Sequence, residues 1–135
     1  MVQLTLAVLD NEFTVHSFDE NHRPDAEIFE QEFYFIGKTQ DELSVVVPSS
    51  LSLASDAQEA GWCCLEVLGP LGFSMVGIMA RLSTTLAEVN ISILAISTFD
   101  TDYLLVKKKR LADATKALKA NGYQVLAKKS QYQEA

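Results

Sequence analysis

The chain is short of cysteine, proline, tryptophan and positive charge. Its 135 residues include two Cys, three Pro, one Trp and two His, with 11 Lys and Arg against 18 Asp and Glu, a formal net charge of −7. A nucleic-acid surface needs clustered cations to displace condensed counterions, so no nucleic-acid partner is expected. The one basic run is Lys107-Lys108-Lys109-Arg110, where an apolar strand gives way to a helix. It reads as a solvated strand exit, with a phosphate contact as the other reading. Cys63 and Cys64 are adjacent. Neighbours on a strand point to opposite faces, which makes them poor partners for each other or for a metal. They read as reduced core thiols of a cytoplasmic protein. His16 and His22 have no zinc-type spacing with Cys, so no metal site is expected. No apolar run approaches the roughly 18 residues a membrane span needs, and the start Met1-Val2-Gln3-Leu4 has no basic n-region or long apolar h-region. A Gly-x-Ser-x-Gly elbow, a Walker loop and a Gly-x-Gly-x-x-Gly fingerprint are missing, so neither an enzyme nor a cofactor is expected.

What is present is enough apolar material for a core: 48% hydrophobic residues with only 21% charged. The second half carries the clearest pattern. Trp62 to Val67 reads as a buried strand stopped by Gly69-Pro70. Met75, Ile78, Met79, Leu82, Leu86 and Val89 fall at helical spacing, with Ser74 as N-cap and Asn90 as a left-handed terminator. Ile91 to Ser97 and Tyr103 to Lys107 are strands joined by the turn-forming Thr98-Phe99-Asp100-Thr101-Asp102. Leu111, Ala114 and Leu118 mark a second helix closed by Asn121-Gly122, before a last strand at Tyr123 to Leu126. The order βαββαβ predicts an α+β, ferredoxin-like unit: a four-stranded antiparallel sheet with both helices on one face.

The first half repeats part of this at an offset of 60. Phe33, Phe35 and Ile36 fall opposite Ile93, Ala95 and Ile96, and Thr39 to Val46 opposite Phe99 to Val106. Leu51, Ala54, Ala57 and Ala60 match the helix stripe Leu111, Ala114, Ala117 and Ala120. Asn11 to Gln31 has no helical stripe, and Phe13 to Phe18 alternates like a strand instead. The expectation is two halves in tandem, 1–60 and 61–135, the first lacking its first helix. A half so exposed needs cover from the other half or from a second subunit.

Two segments carry polar chemistry. Gly69-Pro70-Leu71-Gly72-Phe73-Ser74 leads from strand to helix. It is either an ordinary connection or a place where free backbone N–H groups hold a carboxylate, with Gly72 allowing close approach. Ser97 to Asp102 holds three hydroxyls and two carboxylates in six residues, and is either a polar hairpin turn or a seat for an ammonium or guanidinium group. The predicted topology brings Gly72 and Asp102 to one end of the sheet, where donors for a carboxylate and an acid for an amine suit an amino acid.

The runs Glu66 to Ser74 with Gly77-Ile78, and Ile93 to Val106, resemble the ACT family, and more narrowly small bacterial tandem-ACT proteins akin to the ACT repeats of the cytosolic arginine sensor. The resemblance spans about residues 30–128 and is most specific at Ser97-Thr98-Phe99-Asp100-Thr101-Asp102. It implies a non-catalytic regulatory module that binds an amino acid between ACT units and pairs as a homodimer. Gly72, Phe73 and Ser74 would meet the ligand's main-chain groups, Thr98 and Phe99 would add hydroxyl or backbone contacts, and Asp102 would pair with a cation. Glu42, Leu43, Ser44 and Val45 would form the opposite wall. The alternative is a structural or protein-interaction module of the same fold without a ligand.

Overall fold

The computed structural model of the protein describes residues 4–69 and 77–126. Its strands are β1 (Thr5–Phe18), β2 (Phe35–Lys38), β3 (Leu43–Pro48), β4 (Ala57–Gly69), β5 (Leu94–Ser97), β6 (Asp102–Lys107) and β7 (Gln124–Leu126). The helices are α1 (Ile78–Ala87) and α2 (Leu111–Ala120), and short 3-10 turns occupy Ala26–Glu30 and Lys108–Arg110. The fold is α+β and ferredoxin-like. It divides into two compact units, one made of Met1–Asp10 with Cys63–Ala135 and the other of Asn11–Trp62.

In the first of these units the two helices bury most of the stripes their spacing predicts; Val89 lies past α1 and is 39% exposed, and Met75 lies outside the described residues. Ile78, Leu82 and Leu86 of α1 and Ala114 and Leu118 of α2 join Leu65 and Val67 of β4 and Leu104 and Val106 of β6 in one core. Fully burying a leucine or isoleucine stabilises by roughly 1.5–3 kcal/mol, so this face drives the packing. Asn90 sits at φ 61, the left-handed position that stops α1. Arg110 then donates from Nη2 to the Val89 carbonyl (3.2 Å) and from Nη1 to the Asn90 carbonyl (3.1 Å). The last residue of the basic run thus satisfies carbonyls beyond the α1 C-terminus, where a cation also complements the helix dipole. Gly77, at φ 81, precedes the first residue of α1. The expected cap, Ser74, lies outside the described residues.

The strand order in this unit is β7-β1-β4-β6-β5. The βαββαβ sequence of elements holds, but the sheet is not the expected four-stranded one. Thr5 to Ala7 of β1 stands between β4 and β7, pairing in parallel with Gln124 to Leu126. The physical reason is burial: Leu4 and Leu6 point into the same core as Leu65 and Leu118. The units therefore do not part at residues 60 and 61, and β1 and β4 each contribute residues to both.

The unit 11–62 has the strand order β2-β3-β1-β4. Phe13 to Phe18 is extended, as its alternation predicts, and pairs antiparallel with Leu43 to Pro48. Among the described residues of this unit the one helical element is the 3-10 turn Ala26–Glu30. Its Ile28, with Leu51 and Leu53, packs on Phe18, Leu43, Val45 and Val47, the face that helices cover in the other unit. The helix expected over Leu51 to Ala60 does not form: 51–56 is irregular and Ala57 already opens β4. Serines 49, 50, 52 and 55 offer competing side-chain hydrogen bonds, and pairing within the sheet overrides the helical preference of the alanines.

The internal repeat is real in the backbone but its offset is 59, not 60. In the β2–β3 hairpin Lys38 faces Leu43, and in the β5–β6 hairpin Ser97 faces Asp102. Both turns are built alike. Thr39 N–H donates to the Glu42 carbonyl (2.9 Å), and Thr98 N–H to the Thr101 carbonyl (2.8 Å). Glu42 N–H donates to Thr39 Oγ1, and Thr101 N–H to Thr98 Oγ1, each at 3.2 Å. Because side chains alternate along a strand, a one-residue shift exchanges the two faces. The residue equivalent to Asp102 is accordingly Leu43, and Glu42 corresponds to Thr101.

Candidate functional site

The β5–β6 hairpin is closed by hydrogen bonds at its turn and acidic at its base. Beyond the backbone bond closing the turn, the Thr98 hydroxyl donates to the Thr101 carbonyl at 3.2 Å. Where the strands meet, the Ser97 hydroxyl donates to Asp102 Oδ1 at 2.6 Å, a short charge-assisted contact that fixes the carboxylate and leaves Oδ2 uncommitted by it. Asp102 alternates in phase with Leu104 and Val106, so its side chain is on the helix-covered face of the sheet, at the end of the strand. Phe99, at the tip, is fully exposed at 101%.

Thr98, Phe99 and Asp102 are thus together on one hairpin. Gly72, Phe73 and Ser74 lie outside the described residues. Glu42, Leu43, Ser44 and Val45 belong to the other unit, and two of them are corrected here. Leu43 and Val45 are 1% and 0% exposed in the core around Phe18 and Ile28, so their side chains cannot line a ligand site. The one-residue shift in the repeat explains this, because it turns the position of the acid into an inward-facing apolar one. Glu42 is exposed and Ser44 half-buried.

Two concavities were not foreseen. One, of about 390 Å³, runs along α1 and past the end of α2, and includes Arg81, Thr84, Glu88, Asn121 and Tyr123. The other, about 210 Å³, is in the unit 11–62, where Thr14 and His16 face Ser49, Ser52 and Gln58. Neither includes Thr98, Phe99 or Asp102. A signal for the second was in the sequence. In Phe13 to Phe18 the residues in phase with the buried Phe18 are Thr14 and His16, two polar groups where a core-facing strand ordinarily carries apolar ones. Among the described residues no group of three or more His, Cys, Asp or Glu is placed to hold a metal, and no helix is long and apolar enough to cross a membrane.

His16 is 2% exposed, and burial without a facing carboxylate in the cavity wall holds its pKa below the ordinary 6.5. A group whose folded pKa is depressed contributes stability that is present above the unfolded value and lost as pH falls through the folded one. Thermal stability is therefore expected to drop as pH falls below about 6.5. His16→Gln should flatten that slope relative to the parent chain. Parallel slopes in a calorimetric pH series would show that His16 is not responsible.

Residues 58–120 match the family model for the ACT domain. This segment is similar to an ACT domain. It comprises nearly all of β4, then α1, β5, β6 and the whole of α2, and includes the Ser97–Asp102 contact. An Agobacterium tumefaciens protein of known crystal structure superposes with a TM-score of 0.86 at 27% identity, covering 93% of each chain. The regulatory subunit of aspartate kinase from Thermus thermophilus superposes with a TM-score of 0.64 at 10% identity, over 88% of this chain and 97% of that one. The aspartate kinase of Clostridium acetobutylicum gives 0.66 at 17% identity over 87% of this chain, which spans about a third (34%) of the kinase. At such identities the kinase likenesses speak for the shared fold. No curated protein matches the chain in sequence.

Proposed function

We propose that the protein is a non-catalytic regulatory module that binds an amino acid at the ACT hairpin. The carrying observation is the Asp102 carboxylate, held by Ser97 at 2.6 Å beside a turn already closed by its own backbone. A fixed acid whose Oδ2 is left over by the Ser97 contact suits an ammonium or guanidinium group. β4 leads into 70–76, and β6, its hydrogen-bonded neighbour, begins at Asp102. Gly72, Phe73 and Ser74 are in that connection and would supply N–H donors for the ligand's carboxylate, with Thr98 and Phe99 adding contacts from the turn. The hairpin is too exposed to enclose a ligand alone, so the remaining wall comes from another ACT unit, most simply in a homodimer. The regulatory role named for the aspartate kinase neighbours accords with this reading. By mass action, ligand at about 100 times its Kd stabilises the fold by about 2.7 kcal/mol.

A thermal-shift screen with the common amino acids at millimolar concentration tests the proposal, and at least one should raise the midpoint. Asp102→Asn should weaken binding of that compound about tenfold or more, consistent with loss of a charge-assisted contact, while the ligand-free midpoint stays within a degree or so. Unchanged affinity by calorimetry removes Asp102 from the site. A second reading, a ligand-free interaction module, is favoured by the full exposure of Phe99 on a hydrogen-bonded turn, the kind of aromatic anchor that binding partners bury. It takes precedence when no amino acid shifts the midpoint.

A further inference from the structure

The 210 Å³ concavity of the unit 11–62 is unrelated to the ACT hairpin, and its wall has an unusual chemistry. Thr14 and His16 come from β1, Gln58 from β4, and Ser49, Leu51, Ser52 and Leu53 from the segment that follows β3. No side chain in that wall carries a full charge while His16 is neutral, yet most of it can hydrogen-bond. Thr14 and Ser49 share one hydrogen bond between hydroxyls at 2.8 Å, which uses one of their two protons and leaves the other to be placed. Ser55 is 2.8 Å from His16 Nδ1, which fixes the ring. Nε2, on the other side of the ring, is buried and has no hydrogen-bond partner among the described residues. A buried polar atom left unpaired costs about 1–3 kcal/mol, and this one belongs to a residue that the polar cleft touches.

We infer that this cleft is a binding site for a small uncharged molecule with both donor and acceptor groups, such as an amide or a polyol. Charge is disfavoured on both sides. A cation finds no carboxylate in the wall, and an anion finds only neutral donors in a protein of net charge −7. The size agrees: at about 30 Å³ per water the space equals roughly seven waters, too small for a nucleotide and ample for a few hydrogen-bonding groups. A neutral ligand also leaves His16 neutral, the state its burial favours.

The test uses the full chain with acetamide and glycerol as neutral probes and acetate as the charged isostere of acetamide. Long-range ¹H–¹⁵N spectra of the imidazole report on His16 Nε2 directly. A neutral probe should shift the His16 Nε2 and Gln58 side-chain signals saturably, while acetate leaves them in place. Ser52→Leu should weaken the effect about tenfold, in line with loss of a contact and of space. Ser52 is exposed, so the variant keeps the fold, and unchanged backbone signals of β1 and β3 verify this. Linear shifts that never saturate, an equal response to acetate, or an undiminished response in Ser52→Leu would each mean that the cleft holds water only and would overturn the inference. None of these readouts involves Asp102, so this result and the amino-acid reading stand or fall separately.

Discussion

A fragment beginning at residue 61 is expected to be unfolded, although it contains all the elements of a βαββαβ domain and most of the ACT match. The first ten residues supply what it lacks. Leu4 and Leu6 are 5% and 0% exposed in the core formed by α1, α2, β4 and β6, and Ala7 is 0% exposed. Losing two buried leucines removes roughly 3–6 kcal/mol of apolar burial, against a total stability of about 5–15 kcal/mol for an ordinary domain. The backbone loses as much. β7 pairs with β1, so without residues 5–7 its three residues have no ladder, and reaching β4 would require α2 and β7 to move by a strand spacing of about 5 Å. In the full chain, Leu6→Ala should cost about 2–5 kcal/mol through the same contacts. A fragment 61–135 that shows a cooperative thermal transition and a dispersed spectrum would mean that β7 can pair with β4 directly, and that the inserted strand is dispensable.

That dependence marks the boundary of what local pattern reveals. The helices and the β5–β6 hairpin were legible because each is decided by nearby residues. Leu82 and Leu86 fall one turn apart, Asn90 and Gly122 stop helices by adopting positive φ, and Thr98 closes a turn with its own hydroxyl. The pairing of residues 5–7 with residues near 125 has no local signal, because it is set by the whole core. The repeat was legible as a pattern of acid and apolar residues, yet those align almost equally well one residue apart. Only the hydrogen bonds of the two turns select the offset of 59. That single step separates Glu42 at an exposed turn from Leu43 in a core, and so decides which half can present an acid as Asp102 does. The polar wall around His16 had a sequence signal in the phase of Thr14 and His16. Its other side, Ser49 to Leu53, was obscured by reading Leu51 as the start of a helix.

The unit 11–62 covers its sheet with very little, and this makes Ile28 its most sensitive position. Helices spread burial over several side chains. Here a 3-10 turn, closed by Ile28 N–H to the Asp25 carbonyl (3.0 Å) and Gln31 N–H to the Ile28 carbonyl (3.1 Å), presents one. The turn has no side-chain cap at Asp25, and at its other end Gln31 Nε2 donates to the Glu27 carbonyl (3.2 Å); Ile28 is the one buried side chain by which it sits on the sheet. Ile28 is 0% exposed against Phe18, Leu43, Val45 and Val47. Ile28→Ala should therefore lie at the upper end of the usual range, about 3–5 kcal/mol, because a lone plug leaves no neighbouring turn of helix to close the void. Ile28→Val should cost only about 1 kcal/mol, and Phe29→Ala, at a position 56% exposed, less than that. Urea denaturation gives the energies. Amide exchange at Val45 and Val47 assigns them to this unit, since those amides should lose protection before those of Leu104 and Val106. A loss of under about 1 kcal/mol for Ile28→Ala would show that Leu51 and Leu53 suffice to cover the face, and that the turn rests on the sheet without holding it.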